Sequence, residues 1–187
     1  MATIATTDLP IHRLDVETYH RMVASGALEG LRIELLDGLL VEMSPKSPDH
    51  VVVVTTLMRY FAHEPRWWTQ VQDPIEAAFD CEPEPDLVVA SHRPPPGRHL
   101  RTALLVVEVA VSSHRLDRGR KAALYAAADI PTYWLVDVPG RTVEIRTEPG
   151  SNGYTRCEIY REGSVVPSPL DGVQDLDITA LLADVDT

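Results

Sequence analysis

Leu104-Leu105-Val106-Val107-Glu108-Val109-Ala110 is followed, after a short polar turn, by Asp117-Arg118-Gly119-Arg120-Lys121-Ala122-Ala123-Leu124-Tyr125, and the helical pattern continues to Ala128. The first segment is a continuous apolar run rich in branched residues. It reads as a strand buried on both faces in the middle of a sheet. Glu108 is out of place there, because a buried carboxylate is costly unless it meets a cation, a proton or a hydrogen-bond donor. The second segment reads as a helix with Asp117 near its N-terminus. Asp117, Lys121 and Tyr125 stand four apart and share one helical face. A strand that ends in Glu and returns through a helix carrying Lys can bring that Lys to the carboxylate.

The totals set the frame. A chain of 187 residues with 44% hydrophobic content suits one globular domain with a single substantial core. We expect a flexible arm over 1–12 and one domain over 13–187. No apolar run is long enough for a membrane span, and Met1–Pro10 lacks the basic-then-apolar layout of a signal peptide. Cys81 and Cys157 have no metal-ligand spacing and form no disulfide framework, so reduced structural thiols in a cytoplasmic protein are expected. A net charge of −11 repels nucleic acid at long range, so a polyanion partner would have to meet a local basic surface.

Working outward, Thr132–Asp137 reads as another buried strand. The unit 104–137 therefore has the size of one crossover between parallel neighbours. Upstream, Asp15–Ser25 reads as a helix with Leu14, Tyr19, Met22 and Val23 on its apolar side. Leu31–Leu36 and Leu39–Met43 flank the hairpin signal Asp37-Gly38. His50–His63 has roughly helical spacing despite the β-rich run Val51–Thr56. Short strands are expected at Trp67–Val71, Ile75–Phe79 and Leu87–Ala90, with a Pro-rich loop over Ser91–Arg101. Downstream, strands are expected at Thr142–Thr147, Tyr154–Tyr160 and Val165-Val166, then a helix at Asp177–Leu182. Strands with helices before and between them argue for an α/β layer fold, and the hairpins make the central sheet mixed.

Glu34, Asp86, Glu108 and Lys121 are the groups that could meet at one end of this sheet. Asp86 opens a strand and Glu108 lies near the end of another. If those strands are antiparallel neighbours, the two carboxylates lie together, as a hard divalent cation such as Mg²⁺ (or Mn²⁺) requires. Lys121 could then orient or activate water, or neutralise charge developing on a phosphate.

These residues resemble the Uma2 family of restriction-endonuclease-like proteins, within the PD-(D/E)XK nuclease superfamily. The matching segments are Ile33–Gly38, Met43-Ser44-Pro45, His50, Pro85–Val89, Val107-Glu108-Val109 with Ser112, Asp117-x3-Lys121-x3-Tyr125 and Tyr133–Asp137. The resemblance implies a restriction-endonuclease-like mixed central sheet flanked by helices, with Mg²⁺-dependent phosphodiester cleavage as the ancestral chemistry. It makes Asp86 and Glu108 the metal-ligand carboxylates and Glu34 the upstream acidic residue. The superfamily's usual Lys two places after the Glu is absent, since Ala110 stands there; Lys121 takes that role from the next helix. The pattern also departs at His114 and at Asp129-Ile130. Homodimerisation is a further implication.

Each residue also has a plain structural reading. Asp86 can cap a turn, Glu108 and Lys121 can be a buried ion pair, and Glu34 can be an exposed strand residue. His50 at a helix start reads as a cap-region or substrate-side residue, Tyr125 as a packing residue with its hydroxyl near the site, and Asp137 as a turn residue. Trp67, Trp68 and Trp134 read as core or dimer contacts. Arg115, Arg118 and Arg120, with Arg93, Arg98 and Arg101, are surface arginines by default; beside two carboxylates they could form a phosphate-facing rim, with Arg115 and Arg118 as substrate contacts alongside His50 and Tyr125. The expected activity is Mg²⁺-dependent endonucleolytic hydrolysis of nucleic acid, DNA before RNA. The alternative is a catalytically inactive dimeric module that binds nucleic acid or protein.

Overall fold

The computed structural model describes residues 10–111 and 116–185. Most of the expected arm, together with Ser112, His114 and Arg115, lies outside the described residues. The elements run α1 (Val16–Ala24), β1 (Ile33–Leu36), β2 (Leu39–Glu42), α2 (Pro48–Ala62), β3 (Trp68–Val71), β4 (Leu87–Ala90) and β5 (Leu105–Ala110). A π-helical turn, Leu116–Lys121, leads into α3 (Ala122–Ala127). Then follow β6 (Thr132–Asp137), β7 (Thr142–Gly150), β8 (Gly153–Arg161), β9 (Val165–Val166), β10 (Leu176–Asp177) and α4 (Ile178–Leu181).

The central sheet has six strands in the order β3-β4-β5-β6-β7-β8. β5 and β6 pair in parallel and every other neighbouring pair is antiparallel, so the sheet is mixed. All six residues of β5 are buried, which its apolar run requires. Alternation sends Leu105, Val107 and Val109 into one layer with α2 residues Val53, Val54, Leu57 and Phe61, and with the C-terminal Ile178 and Leu181. Val106 and Ala110 face the other layer, with Ala122, Leu124 and Tyr125 of the crossover helix. Glu108 shares that second face. Two further antiparallel pairs stand apart from the main sheet, β1 with β2 and β9 with β10.

Local chemistry accounts for several boundaries. Asp37 (φ 51°) and Gly38 (φ 71°) turn the first hairpin through the left-handed region. A Cβ on Gly38 would also lie 2.5 Å from the Arg13 Cβ, so the close approach of the segment before α1 requires glycine. α2 forms despite its β-branched run. Ser47 caps it by accepting from the His50 backbone N–H at 3.2 Å, Pro48 opens it, and its buried face packs on the sheet. Cys81 is buried and its thiol is pushed up to about 12 by that burial, as a structural thiol should be.

Other expectations change. Ile75–Phe79 is not a strand. Ile75 bridges Leu100 and Ala78 bridges Cys81, while Ile75 N–H donates to the Pro83 carbonyl and Glu76 N–H to that of Leu100. Bonds to separate segments cannot build a ladder. The crossover helix begins with π-helical rather than α-helical winding. On α1, Val16 is buried and Val23 is 53% exposed, so the apolar face is rotated from the one expected. The segment after Pro139 is not a small separate sheet: β7 and β8 are longer than expected and complete the central sheet.

Candidate functional site

Asp86 directly precedes β4, and in the antiparallel register Leu87 stands opposite Val107 of β5. Asp86 therefore lies beside Glu108. Its carboxylate takes over where the backbone ladder stops: Oδ2 accepts from the Val109 backbone N–H at 2.8 Å. Oδ1 lies 2.9 Å from His50 Nε2, at the N-terminal end of α2. His50 Nδ1 is buried with no hydrogen-bond partner among the described residues. His50 is thus both a cap-region residue, as expected, and a direct neighbour of the Asp86 carboxylate.

Glu108 projects toward the crossover helix. Its Oε1 accepts from Lys121 Nζ at 3.1 Å and from the Tyr125 hydroxyl at 2.7 Å. Lys121 Nζ is also 3.1 Å from Glu34 Oε2, and that same oxygen accepts from the Glu84 backbone N–H at 3.0 Å. Glu34 is 2% exposed, so it is not an outward-facing strand residue. The β1–β2 hairpin, the crossover and the β5 end meet on one buried ammonium.

Burial and neighbouring charge set the electrostatics of the cluster. Burial raises the Glu108 carboxyl well above its ordinary value; Lys121 pulls it down, while Asp117, Asp86 and Glu34 raise it further. Burial alone would lower Lys121, but Glu108, Glu34 and Asp117 outweigh it and hold the ammonium charged. Burial, then Glu108, raises the Tyr125 hydroxyl, which stays a donor. Glu34 and Glu108 share the one ammonium of Lys121, and Asp86 stands beside Glu108, so three carboxylates converge where a divalent cation would add positive charge.

These groups line a cavity of about 120 Å³. At about 30 Å³ per water, that is room for an ion with a few waters, and it falls short of the roughly 300–1,000 Å³ of small-molecule pockets. Glu34, His50, Asp86, Glu108 and Lys121 are all in its wall. So are Arg32, Lys46 and the buried Asp117, none of which had been singled out for the site from the sequence. Asp117 had a usable signal, standing four residues before Lys121. Arg118 is elsewhere, bonded to Glu144 at 2.9 Å and to Asp137 at 3.4 Å. Arg120 pairs with Asp37 and Arg101 with Glu76. Among the described residues, the basic groups at the cavity are Arg32, Lys46 and Lys121, and not Arg118 or Arg120.

The donor set fits a hard cation: two adjacent carboxylates and space for water. Glu34, Asp86 and Glu108 do not bring three ligand atoms within 4.8 Å of one another, so water would complete the coordination.

Comparison with known proteins agrees with this architecture. No curated protein matches the chain in sequence. Among solved structures, the chain is similar to a protein from Anabaena variabilis described as "a putative nuclease belonging to DUF820". The TM-score is 0.65 at 15% identity, covering 81% of this chain and 89% of that one, and the likeness is one of fold. No helix among the described residues is long and apolar enough to cross a membrane. The family model for Uma2, described as "Putative restriction endonuclease", matches residues 16–180, and with that span the chain belongs to the Uma2 family.

Proposed function

We propose that the chain hydrolyses phosphodiester bonds of nucleic acid, with Asp86 and Glu108 holding Mg²⁺ or Mn²⁺. The observation that carries this reading is Lys121 Nζ, 3.1 Å from both Glu34 and Glu108 in the cavity that Asp86 shares. A divalent cation bound there supplies Lewis-acid polarisation of the phosphate and a more acidic water. Lys121 stays charged, so it acts as a donor, orienting water or stabilising charge on the phosphate, and not as a general base. Glu34 and Tyr125 are positioning residues: one anchors the ammonium, the other fixes the carboxylate it touches. His50 orients Asp86. Arg32 and Lys46 supply the phosphate-facing charge at the cavity wall.

The same reading carries a preference for DNA over RNA, a cytoplasmic location, one nuclease-like domain over 13–187 and a homodimer. Pairing through the outer strand β8, whose Ile159 is 57% exposed, would cover the unpaired edge of the sheet. The net charge of −11 favours the second reading, a dimeric module that binds nucleic acid or protein without cutting. Cleavage assays on single- and double-stranded DNA and RNA, with Mg²⁺ or with chelator, test the proposal. Metal-dependent cutting that is lost in Asp86→Asn and Glu108→Gln supports it. No cutting, together with no Mg²⁺ binding by calorimetry, leaves the module.

A further inference from the structure

His20, Glu82 and His99 come together from α1, the segment before β4 and the loop before β5. His20 Nε2 lies 2.7 Å from Glu82 Oε2, and the two imidazole centroids are 5.6 Å apart. One ligand atom from each of the three residues falls within 4.8 Å of the others. Glu82 is only 3% exposed, whereas both histidines are half-buried and reach solvent. This places a buried carboxylate at the base of the cluster and two imidazoles at its mouth. The bridge between Leu35 and Glu82 separates this cluster from the cavity around Lys121.

We infer that His20, Glu82 and His99 form a second metal site, one for a transition metal of the Zn²⁺ class. Two imidazoles and one carboxylate are borderline donors, suited to Zn²⁺ rather than Mg²⁺. Bonds of about 2.0–2.2 Å to a tetrahedral ion set ligand atoms roughly 3.3 Å apart. The cluster reaches that spacing if the His99 ring closes by no more than about 1.5 Å and the His20–Glu82 contact opens by about 0.5 Å, movements on the scale of side-chain rotation. An ion there would also compensate the Glu82 carboxylate, which its hydrogen bond to imidazole does only in part. Three protein ligands leave a fourth position for water or another small ligand. Beside His20 and His99 lies a cavity of about 780 Å³, with Glu76, Arg98, Phe79 and Val23 in its wall, a size suited to a small molecule.

The test titrates the full chain with Co²⁺, read by its visible absorption, and with Zn²⁺ in competition. The expected result is one equivalent whose Co²⁺ spectrum persists in excess Mg²⁺ and in Asp86→Asn. His20→Ala and His99→Ala should each lower the affinity by more than the roughly 10- to 100-fold typical of losing an outer-sphere partner. Melts without metal identify misfolded variants. His99→Ala decides the matter if His20→Ala fails to fold, because His99 has no carboxylate depending on it as Glu82 depends on His20. Unchanged binding in His99→Ala, or loss of the spectrum in Asp86→Asn, overturns the proposal. So does weak binding of several equivalents, which would mean adventitious coordination only. The outcome is independent of whether the chain cuts nucleic acid.

Discussion

Glu34 and Glu82 are near neighbours across the bridge between Leu35 and Glu82, yet they serve different surroundings. Paired residues in an antiparallel bridge share a face, so Glu82 points with Leu35 and Glu34 points the other way. On Glu34's side, oxygen donors surround a buried ammonium that touches Glu34 and Glu108. On Glu82's side, the carboxylate meets half-buried imidazoles and no lysine. The first cluster is built from carboxylate oxygens, donors that suit a hard cation. The second has borderline donors at the mouth of a larger cavity. One strand thus separates two sets of donors by the hardness of the ion they suit.

The comparison breaks first at Lys121. Removing the ammonium leaves Glu34 and Glu108 without their shared cation, so Lys121→Met should lower metal-free stability by roughly 3–5 kcal/mol in a denaturant melt. That loss is expected whether the cluster is catalytic or only structural. Mg²⁺ separates the two cases. At a metal site the ion replaces much of the lost charge and raises the mutant's melting temperature; at a buried ion pair it changes nothing.

The next effect is on turnover. If the chain cuts nucleic acid, Lys121→Met should slow single-turnover cleavage by about 10²-fold or more while leaving Mg²⁺ affinity largely intact. A parallel loss of Mg²⁺ affinity would instead make Lys121 part of the scaffold for the ion.

A smaller effect is expected in the pH dependence of metal-free stability. The folded-state value of Glu108 lies above its unfolded value, so the native state holds its proton longer than the unfolded chain does. That contribution is fully present below the unfolded Glu value of about 4.3 and is lost as pH rises through the folded value. The slope is at most about 1.4 kcal/mol per pH unit for one proton. Glu108→Gln removes the titrating group and relieves repulsion from Asp86 and Asp117, so its melts in chelator should be flatter with pH and no less stable near neutrality. A steeper profile in the mutant would mean that the carboxylate is stabilised in its charged form.

The smallest effect belongs to the second cluster. His99→Ala should change metal-free stability by less than about 0.5 kcal/mol, as expected for a partly exposed side chain with no buried dependent. His20→Ala removes the hydrogen-bond partner of the buried Glu82 and should cost about 1 kcal/mol or more. Equal and negligible effects would mean that Glu82 is satisfied by other groups, and would weaken the contrast with Glu34.

Much of this was legible in the chain. The apolar run Leu105–Ala110 announced a central strand because burial on both faces leaves no alternation to read. Asp37-Gly38 announced its turn through conformational preference, and Glu108 announced a partner because a buried carboxylate must have one. Lys121 and Tyr125 followed from helical spacing, and both bond to Glu108. These signals are local: each depends on residues within a few positions, or on the cost of burying one group.

What needed the tertiary structure depends on which segments become neighbours. The run Ile75–Phe79 carries strand-like residues, but its backbone groups are taken by Pro83, Leu100 and Cys81, so no ladder forms. The arginines of the crossover lie close in sequence to the carboxylates, yet Arg118 is drawn to Glu144 and Asp137, while Arg32 and Lys46 reach the cavity from the first hairpin and the turn before α2. His20, Glu82 and His99 have no shared spacing to read. They meet because α1, the bridge to Leu35 and the proline-rich loop converge on one edge, and long-range convergence of this kind leaves no period in the sequence. The sequence by itself determined the buried strand, the carboxylate that must be compensated and the helix that compensates it. Tertiary structure decided the other partners at that carboxylate's site and the existence of the second cluster, because those depend on contacts between segments whose local preferences do not encode one another.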